Sequence, residues 1–325
     1  MNSRRVGVLL GGWGEEKDIS VKTGEAIATA LEKRGHAVTR IIAGPGLDQA
    51  VRSAGIDVAF LALHGRMGED GKVQGLLEVM GVPYTGSGVL ASALAMNKGF
   101  AKKLFRQHNL ATPAGYVVGV GQLDQVEELH CDLGFPCVVK PSSGGSSVGL
   151  SLVHTLEGLR PAVALACRYG GEAMVERYVK GKEVTVAILG GEVLGSCEIS
   201  SPAATFDYAT KYEGGARYHL PPRLPGTRIT NLETMALTAY RALGCRGAAR
   251  IDFICPDVGN EVLLEVNTLP GMTPTSLLPK IARQRGLTFE DLCEKLLSLA
   301  ERELVDVQPL PQVAERVVAA ERHAG

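Results

Sequence analysis

Residues 248–267 read AARIDFICPDVGNEVLLEVN and predict two strands joined by a turn that contains proline and glycine. Side chains two residues apart in a strand share a face. One face of this hairpin therefore gathers Arg250, Asp252, Glu265 and Asn267. Two carboxylates and an amide supply the oxygen donors that suit Mg²⁺. The alternative is a surface face of ordinary ion pairs, but both strands are otherwise strongly apolar and unpaired buried carboxylates are costly.

A second feature is an apolar strand that ends at Lys140 and leads into a loop of glycine and serine at residues 141–149. Backbone N–H groups of such a loop can bind phosphates. It is not a Walker A motif, because the lysine precedes the loop instead of following it. The alternative is a plain flexible turn. An ammonium at the end of an apolar strand needs an anionic partner, which favours phosphate binding. The charged segment 175–183, taken alone, is typical of a solvated connector.

The N-terminal region alternates strands with helices. Apolar runs at 6–10, 37–43 and 58–64 predict strands, and a helix is predicted over 19–33. This alternation is typical of an open parallel α/β sheet. Ligands of such sheets bind beyond the carboxyl ends of the strands. Glycine-rich loops follow the first and third strands, so both loops are candidate site loops.

The rest of the chain predicts two α+β units. Consecutive glycines at Gly190 and Gly191 separate two strand-like runs and favour a two-residue hairpin turn. Further helices are predicted over 97–108, 156–169 and 288–304. The predicted domains are a Rossmann-like substrate domain at 1–95, a subdomain with the phosphate loop at 96–180, a subdomain with the metal site at 181–307 and a tail at 308–325.

Composition and charge exclude several classes of protein. The 325 residues contain 34 Lys and Arg and 35 Asp and Glu, so the formal net charge is −1. Such a balance provides no broad basic surface for nucleic acid or an anionic membrane. No stretch reaches the ~18 consecutive apolar residues of a membrane span. The seven cysteines contain no C-x-x-C pair and are interpreted as buried reduced thiols. We expect a soluble, cytoplasmic protein.

The order of these motifs resembles the ATP-grasp superfamily and, within it, the D-alanine–D-alanine ligase family. The superfamily motifs are Lys98, Lys140 with its loop, the segment 176–183, and two residues on each of two strands, Arg250 with Asp252 and Glu265 with Asn267. The motifs similar to the ligase family are LLGG at 9–12, ALHG at 62–65, GEDG at 68–71, PYTGSG at 83–88, EVNT at 265–268 and PGMT at 270–273. The resemblance covers residues 6–300. It implies an α/β ATP-grasp fold, with an N-terminal open parallel domain followed by two α+β units that sandwich the nucleotide.

The resemblance also implies an activity, which is the ATP-dependent joining of two D-alanine molecules through an acyl phosphate for peptidoglycan precursor synthesis. The implied catalytic residues are Glu16, Ser146, Tyr212, Arg250, Gly271 and Ser276. The implied substrate-binding residues are His64, Lys211 and Leu277, and the implied nucleotide-binding residues are Lys98, Lys140, Glu176, Val179 and Glu183. ATP is the implied co-substrate, with two Mg²⁺ or Mn²⁺ ions on Asp252, Glu265 and Asn267. The resemblance suggests a homodimer and leaves open a need for a monovalent cation.

Several of these residues have ordinary alternative roles. A loop glutamate such as Glu16 is commonly solvated, a histidine such as His64 is commonly structural, and Ser146 could be a turn residue. The segment 207–218 resembles the family's mobile lid, and its alternative is a surface loop. The first loop departs from the family pattern because it reads Trp-Gly-Glu before residue 16. Two adjacent glutamates are candidates, and the spacing to Ser20 favours Glu16.

Alternative functions remain at this point. A ligase that makes D-alanyl-D-serine stays open, whereas the pair Lys211-Tyr212 argues against D-alanyl-D-lactate. A non-catalytic nucleotide-binding protein of the same fold would not need the guanidinium of Arg250 beside the metal ligands. A dinucleotide dehydrogenase would need G-x-G-x-x-G after the first strand, and the sequence there continues differently.

Overall fold

Three β-sheets organise the computed structural model, which describes residues 3–14, 16–145, 148–200 and 217–303. The strands are β1 (Arg5–Gly11), β2 (Ala37–Ala43), β3 (Val58–Leu61), β4 (Gly115–Gly119), β5 (Cys137–Pro141), β6 (Ser151–Val153), β7 (Glu172–Arg177), β8 (Lys182–Leu189), β9 (Glu192–Ser200), β10 (Arg217–His219), β11 (Ala248–Cys255) and β12 (Val262–Asn267). The helices are α1 (Lys17–Lys33), α2 (Leu47–Ala54), α3 (Lys72–Met80), α4 (Val89–Met96), α5 (Lys98–Gln107), α6 (Val126–His130), α7 (Leu156–Cys167), α8 (Gly226–Ala242), α9 (Leu277–Gln284) and α10 (Phe289–Ser298). Short 3₁₀ turns at Val120–Gln125 and Cys131–Leu133 flank α6.

The first sheet has the strand order β2–β1–β3, and both strand pairs are parallel, as the sequence predicts. Both of its faces are buried. Val8 belongs to an apolar cluster that includes α1, whereas Leu9 belongs to a cluster that includes α2 and α3. β2 has the predicted bounds. β3 is shorter than predicted, because its pairing with β1 ends at Leu61 and the chain then leaves the sheet.

The second sheet has the antiparallel order β4–β7–β5–β6 and packs against α7. One predicted boundary is wrong here by two residues, because α7 ends at Cys167 instead of residue 169. β5 ends at Pro141, directly after Lys140, so the glycine–serine loop begins where the strand prediction places it.

The third sheet has the antiparallel order β10–β9–β8–β11–β12. Its predicted hairpin is confirmed, since Gly190 and Gly191 join β8 to β9 with φ angles of 62° and 82°. Positive φ at both central positions is the geometry of a primed two-residue turn. α8 covers one face, where Leu232 and Phe253 share an apolar cluster.

The end of the described chain returns to the first sheet. α10 packs against α1, and Leu292 shares an apolar cluster with Ile27 and Leu31. α10 ends at Ser298, so the helix predicted over 288–304 is too long. This packing brings α9 and the loop before it next to the carboxyl ends of the first sheet.

Two expectations about composition meet the structure here. The seven cysteines are free thiols, but Cys131 is exposed and Cys245 is partly exposed, so the prediction of uniform burial is wrong for these two. Among the described helices, none is both long and apolar enough to cross a membrane.

Candidate active site

The hairpin of β11 and β12 carries the charged face that the sequence predicts. Its register sets Arg250 opposite Asn267 and Asp252 opposite Glu265. Asp252 is 6% exposed, so the alternative of a solvated surface face is wrong. Thr185 of β8 donates a hydrogen bond to Asp252 Oδ1 at 2.6 Å. The neighbouring strand therefore fixes the position of this carboxylate.

Arg250 binds Asp252 through two parallel hydrogen bonds. Nε donates to Oδ1 and Nη2 donates to Oδ2, each at 2.9 Å. Burial disfavours charge on the guanidinium, but Asp252 outweighs burial and raises the pKa of Arg250. Glu265 and Glu183 contribute in the same direction. Arg250 is thus a permanent positive charge at the centre of an acidic site.

The oxygens of this hairpin fit a hard divalent cation. Glu265 and Asn267 line a cleft of about 330 Å³ together with Lys98 and Gly144. Lys98 Nζ lies 3.2 Å from Glu265 Oε2, so the ammonium group of this lysine lies on one side of the carboxylate. Asn267 Oδ1 accepts a hydrogen bond from the backbone N–H of Leu269, which orients the amide. Two carboxylates and one amide oxygen leave coordination positions for phosphate and water.

The glycine–serine loop forms the opposite wall of this cleft. Lys98 Nζ donates to the carbonyl oxygen of Gly144 at 2.6 Å, and the backbone N–H of Lys98 donates to Ser142 at 2.8 Å. Lys98 is the first residue of α5, whose N-cap Asn97 accepts a hydrogen bond from Phe100 N–H. A lysine, a glycine-rich loop and a helix N-terminus therefore meet beside the carboxylates, which is an arrangement suited to phosphate.

Lys140 finds the anionic partner that its position requires. Its Nζ lies 2.8 Å from Glu176 Oε2, and Lys102 Nζ lies 2.6 Å from Glu176 Oε1. Burial would raise the pKa of Glu176, but the two ammonium groups outweigh it and lower that pKa. The structure thus brings together two predicted nucleotide-binding residues and adds Lys102, which the sequence analysis did not identify.

A second group of loops gathers around Glu16, at the start of α1. Ser20 Oγ donates to the carbonyl oxygen of Ala62 at 2.7 Å, which ties α1 to the loop after β3. A Cβ at Gly65, where φ is +65°, would lie 2.1 Å from Glu16 Oε2. Glycine favours the positive φ of residue 65 and leaves room there for the carboxylate of Glu16. The structure thus brings Glu16 and the loop of His64 together.

His64 is held by two neighbours. Its Nε2 lies 3.2 Å from Thr23 Oγ1, and its Nδ1 lies 3.7 Å from Glu69 Oε1. Glu69 also approaches the phosphate loop, because a Cβ at Gly145 would lie 3.0 Å from Glu69 Oε2 and 3.5 Å from Glu16 Oε1. Three loops that are distant in sequence therefore place two carboxylates and an imidazole together.

The loop between β12 and α9 brings the next predicted residues into contact. Ser276 is the N-cap residue of α9, and Leu277 is the first residue of that helix. Ser276 Oγ accepts a hydrogen bond from the backbone N–H of Thr273, and a Cβ at Gly271 would lie 3.1 Å from the same oxygen. Unpaired N–H groups at the start of a helix favour a carboxylate ligand.

Two predicted nucleotide-binding residues lie on the connector between the second and third sheets and at the start of the strand that follows it. Val179 lies on the connector between β7 and β8, and Glu183 is the second residue of β8. Glu183 is paired in register with Ile254 of β11, so it belongs to the strand next to the hairpin of β11 and β12.

Some predicted site residues lie outside the described residues, and for them the predictions stand as made: Ser146, Lys211, Tyr212 and the alternative glutamate Glu15. Two described residues were missed. Glu69 lies within the GEDG motif, so its glycine-rich surroundings were an available signal. Lys102 follows Lys98 by one helical turn and therefore lies on the same face of α5.

Comparison with known proteins gives a consistent result over most of the chain. The family described as "D-ala D-ala ligase C-terminus" matches residues 118–298, and "D-ala D-ala ligase N-terminus" matches residues 43–87. A D-alanine–D-alanine ligase of Anaeromyxobacter sp. (strain Fw109-5) is 47% identical over 295 residues, which are 90% of this chain and 96% of the relative.

Solved structures give the same answer. The D-alanine–D-alanine ligase of Bacillus anthracis complexed with ATP has a TM-score of 0.78 and 34% identity, covering 91% of this chain and 97% of that chain. The VanG D-Ala:D-Ser ligase of Enterococcus faecalis has a TM-score of 0.80 and 27% identity, covering 92% of this chain and 99% of that chain.

The three sheets, the glycine–serine loop and the acidic hairpin are those of an ATP-grasp enzyme. Within that class, the chain belongs to the D-alanine–D-alanine ligase family.

Proposed function

We propose that this protein is an ATP-dependent ligase that joins two D-alanine molecules into D-alanyl-D-alanine, a precursor for peptidoglycan. The observation that carries the proposal is the meeting of Glu16, Glu69 and Gly145 at one point. An ammonium substrate and a phosphate donor can bind side by side there. The activities named for the relatives support the same reaction.

The nucleotide binds between the second and third sheets in this proposal. Lys98 and Lys140 contact the α- and β-phosphates, and the glycine–serine loop contacts the phosphates through its N–H groups. Glu176 and the backbone of Val179 bind the adenine, and Glu183 binds the ribose hydroxyls. The support is positional: the lysines flank the loop, whereas Glu176 lies on β7, Val179 on the connector after it and Glu183 on β8.

Asp252, Glu265 and Asn267 would hold two Mg²⁺ or Mn²⁺ ions. Such ions, when bound, offset the charge of the phosphates during phosphoryl transfer. The chain's own residues prepare the site. Arg250 holds Asp252 with two hydrogen bonds, and Lys98 lies beside Glu265.

The first D-alanine binds through its ammonium group to Glu16, with His64 nearby and Ser146 linking Glu16 to Tyr212 of the lid. Its carboxylate oxygen attacks the γ-phosphorus of ATP, which releases ADP and gives an acyl phosphate. Phosphate is a far better leaving group than the oxide of a free carboxylate. The carbonyl carbon is thereby prepared for attack by an amine.

The second D-alanine binds through its carboxylate to Ser276 and Leu277 at the start of α9, and to Lys211. Its neutral amine attacks the acyl carbon, and the tetrahedral oxyanion collapses with loss of phosphate, which takes up the proton that the attacking nitrogen releases. Arg250 and the backbone N–H of Gly271 are the proposed donors to that oxyanion. Fixed donors of this kind stabilise charge that develops only in the transition state.

The second substrate is the part of the proposal with a specific rival. VanG, whose fold this chain shares, is named a D-Ala:D-Ser ligase, so D-serine is the alternative acceptor. The proposal also keeps the sequence-based domain boundaries near residues 95 and 180, a homodimer, a cytoplasmic location and an open requirement for a monovalent cation.

Phosphate release from ATP, measured with D-alanine, L-alanine, D-serine and D-lactate offered separately and in pairs with D-alanine, tests the proposal. We expect release with D-alanine alone, and a product with the mass of the dipeptide. Release without dipeptide would contradict ligation. A faster reaction with the D-alanine and D-serine pair, giving the mixed dipeptide, would assign the rival function.

A further inference from the structure

Lys102 is a fully buried lysine that the mechanism above does not use. It lies in the middle of α5, and its side chain is 1% exposed. Lysine is almost never fully buried unless it is paired, because an isolated ammonium in the interior is costly. Its partner is Glu176 of β7, whose side chain is 3% exposed. A buried pair of this kind on an α5–β7 contact needs an explanation.

The pair is part of a group of three charges. Glu176 contacts Lys102 through one carboxylate oxygen and Lys140 through the other. Two ammonium groups and one carboxylate leave a surplus of one positive charge. Lys140 is the member of the group that presents this positive charge to solvent. Its side chain is 12% exposed, whereas those of Lys102 and Glu176 are almost completely covered.

Without Lys102, Glu176 and Lys140 would form a neutral pair. Lys140 would then present little net charge to a nucleotide. With Lys102 present, its buried ammonium group offsets the negative charge of Glu176. The other charged group that acts on Lys102 is Glu265 of β12, and the charge of Glu265 is offset by Lys98, whose Nζ lies 3.2 Å from Oε2.

We propose that Lys102 is a positioning residue of the nucleotide site, which offsets the charge of Glu176 so that Lys140 keeps a full positive charge for the polyphosphate. The inference rests on the proposed use of ATP. Lys102 touches neither substrate nor nucleotide in this account. It acts through Glu176, which it also holds in place.

The variant Lys102→Met tests the proposal, because methionine is similar in length and uncharged. The fold should persist, since the pair of Glu176 and Lys140 remains and the group becomes neutral. ATP affinity should fall roughly 10- to 30-fold, because the site loses one positive charge at an effective dielectric constant near 20. Affinity for adenosine, which has no phosphate, should stay within about twofold of the wild-type value.

Three further variants separate this role from a general one. Lys103→Met removes the same charge from the neighbouring, exposed position of α5, and it should leave the ratio of ATP to adenosine affinity unchanged. Lys102→Arg keeps the charge and should retain most of the ATP affinity. The double variant Lys102→Met with Glu176→Gln restores the surplus charge on Lys140. It should recover the preference for ATP over adenosine even if the affinity for adenine itself falls.

Binding of ATP, ADP and adenosine should be measured by calorimetry on each variant, with the melting temperature from the same preparation. Equal weakening of ATP and adenosine in Lys102→Met, or a lower melting temperature with an unchanged affinity ratio, would overturn the proposal in favour of a structural ion pair. Failure of Lys102→Met to fold would also overturn it, because the neutral pair would then not be tolerated. If wild-type protein binds no ATP, the proposed function fails instead.

Discussion

The substitution Arg250→Lys keeps a positive charge next to Asp252 but removes the planar fork that holds this carboxylate. Nε and Nη2 each donate a hydrogen bond to Asp252 at 2.9 Å, and a lysine can replace only one of the two. A hydrogen bond to a charged group contributes about 1.5–3 kcal/mol to stability. The variant should therefore lose about that much free energy of unfolding, while Thr185 still holds Asp252.

Turnover should fall by more than this loss of stability explains. If the guanidinium donates to the oxyanion of the second step, its removal should lower kcat on the order of 10²–10³-fold. The KM for ATP should change little, since Arg250 is not a nucleotide-binding residue in this account. Loss of turnover with unchanged ATP binding is the signature of an interaction made in the transition state.

Arg228→Lys is the matched control. Arg228 Nε donates to Glu261 at 2.5 Å, just before β12, and the burial of this pair is similar to that of Arg250 and Asp252. Both variants should melt a few degrees lower than wild type. Only Arg250→Lys should lose turnover in a phosphate-release assay at saturating substrates. Normal turnover in its folded fraction, or an equal loss in the control, would refute the catalytic role.

Three further changes test the substrate, metal and nucleotide parts of the site. Glu16→Gln should raise the KM for the first D-alanine roughly tenfold or more, because a charge-assisted hydrogen bond is lost. Glu15→Gln should change this KM little, and the reverse ranking in steady-state kinetics would move the assignment by one residue. Glu265→Gln should raise the Mg²⁺ concentration that gives half-maximal turnover, and an unchanged Mg²⁺ titration would remove Glu265 from the metal site. Burial lowers the pKa of Lys102 to about 8. The wild-type preference for ATP over adenosine should therefore decline as pH rises through that value and this ammonium becomes neutral, whereas Lys102→Arg should show a flat profile over the same range. A parallel decline in the arginine variant would show that another group titrates.

Local sequence patterns were sufficient to predict the bounds of those strands whose apolar pattern ends where their pairing with a neighbouring strand ends. β2 has the bounds that its apolar pattern predicts, and the turn at Gly190 and Gly191 follows from backbone chemistry alone. β3 was predicted too long because its apolar run continues to residue 64, although its register with β1 ends at Leu61. A strand ends where its pairing ends, and this information is not local.

The candidate site likewise contains residues that local sequence patterns identify and residues that they do not. Alternation in two adjacent strands was sufficient to bring Arg250 and Asp252 to one face. Lys102 was missed because a lysine on an amphipathic helix normally lies on the solvated face. Its partner Glu176 lies on β7, which is distant from α5 in the sequence. Residues that matter through a long-range buried contact cannot be found from their neighbours in the chain.

The central claim is that the carboxylate of one D-alanine becomes an acyl phosphate before the peptide bond forms. D-alanine labelled with ¹⁸O in its carboxylate, incubated with ATP and Mg²⁺, tests this claim most directly by mass spectrometry of the products. The attacking carboxylate oxygen stays with phosphorus when the amine displaces phosphate. We expect one ¹⁸O atom in each phosphate released, and one dipeptide for each phosphate. Unlabelled phosphate alongside labelled dipeptide would contradict it.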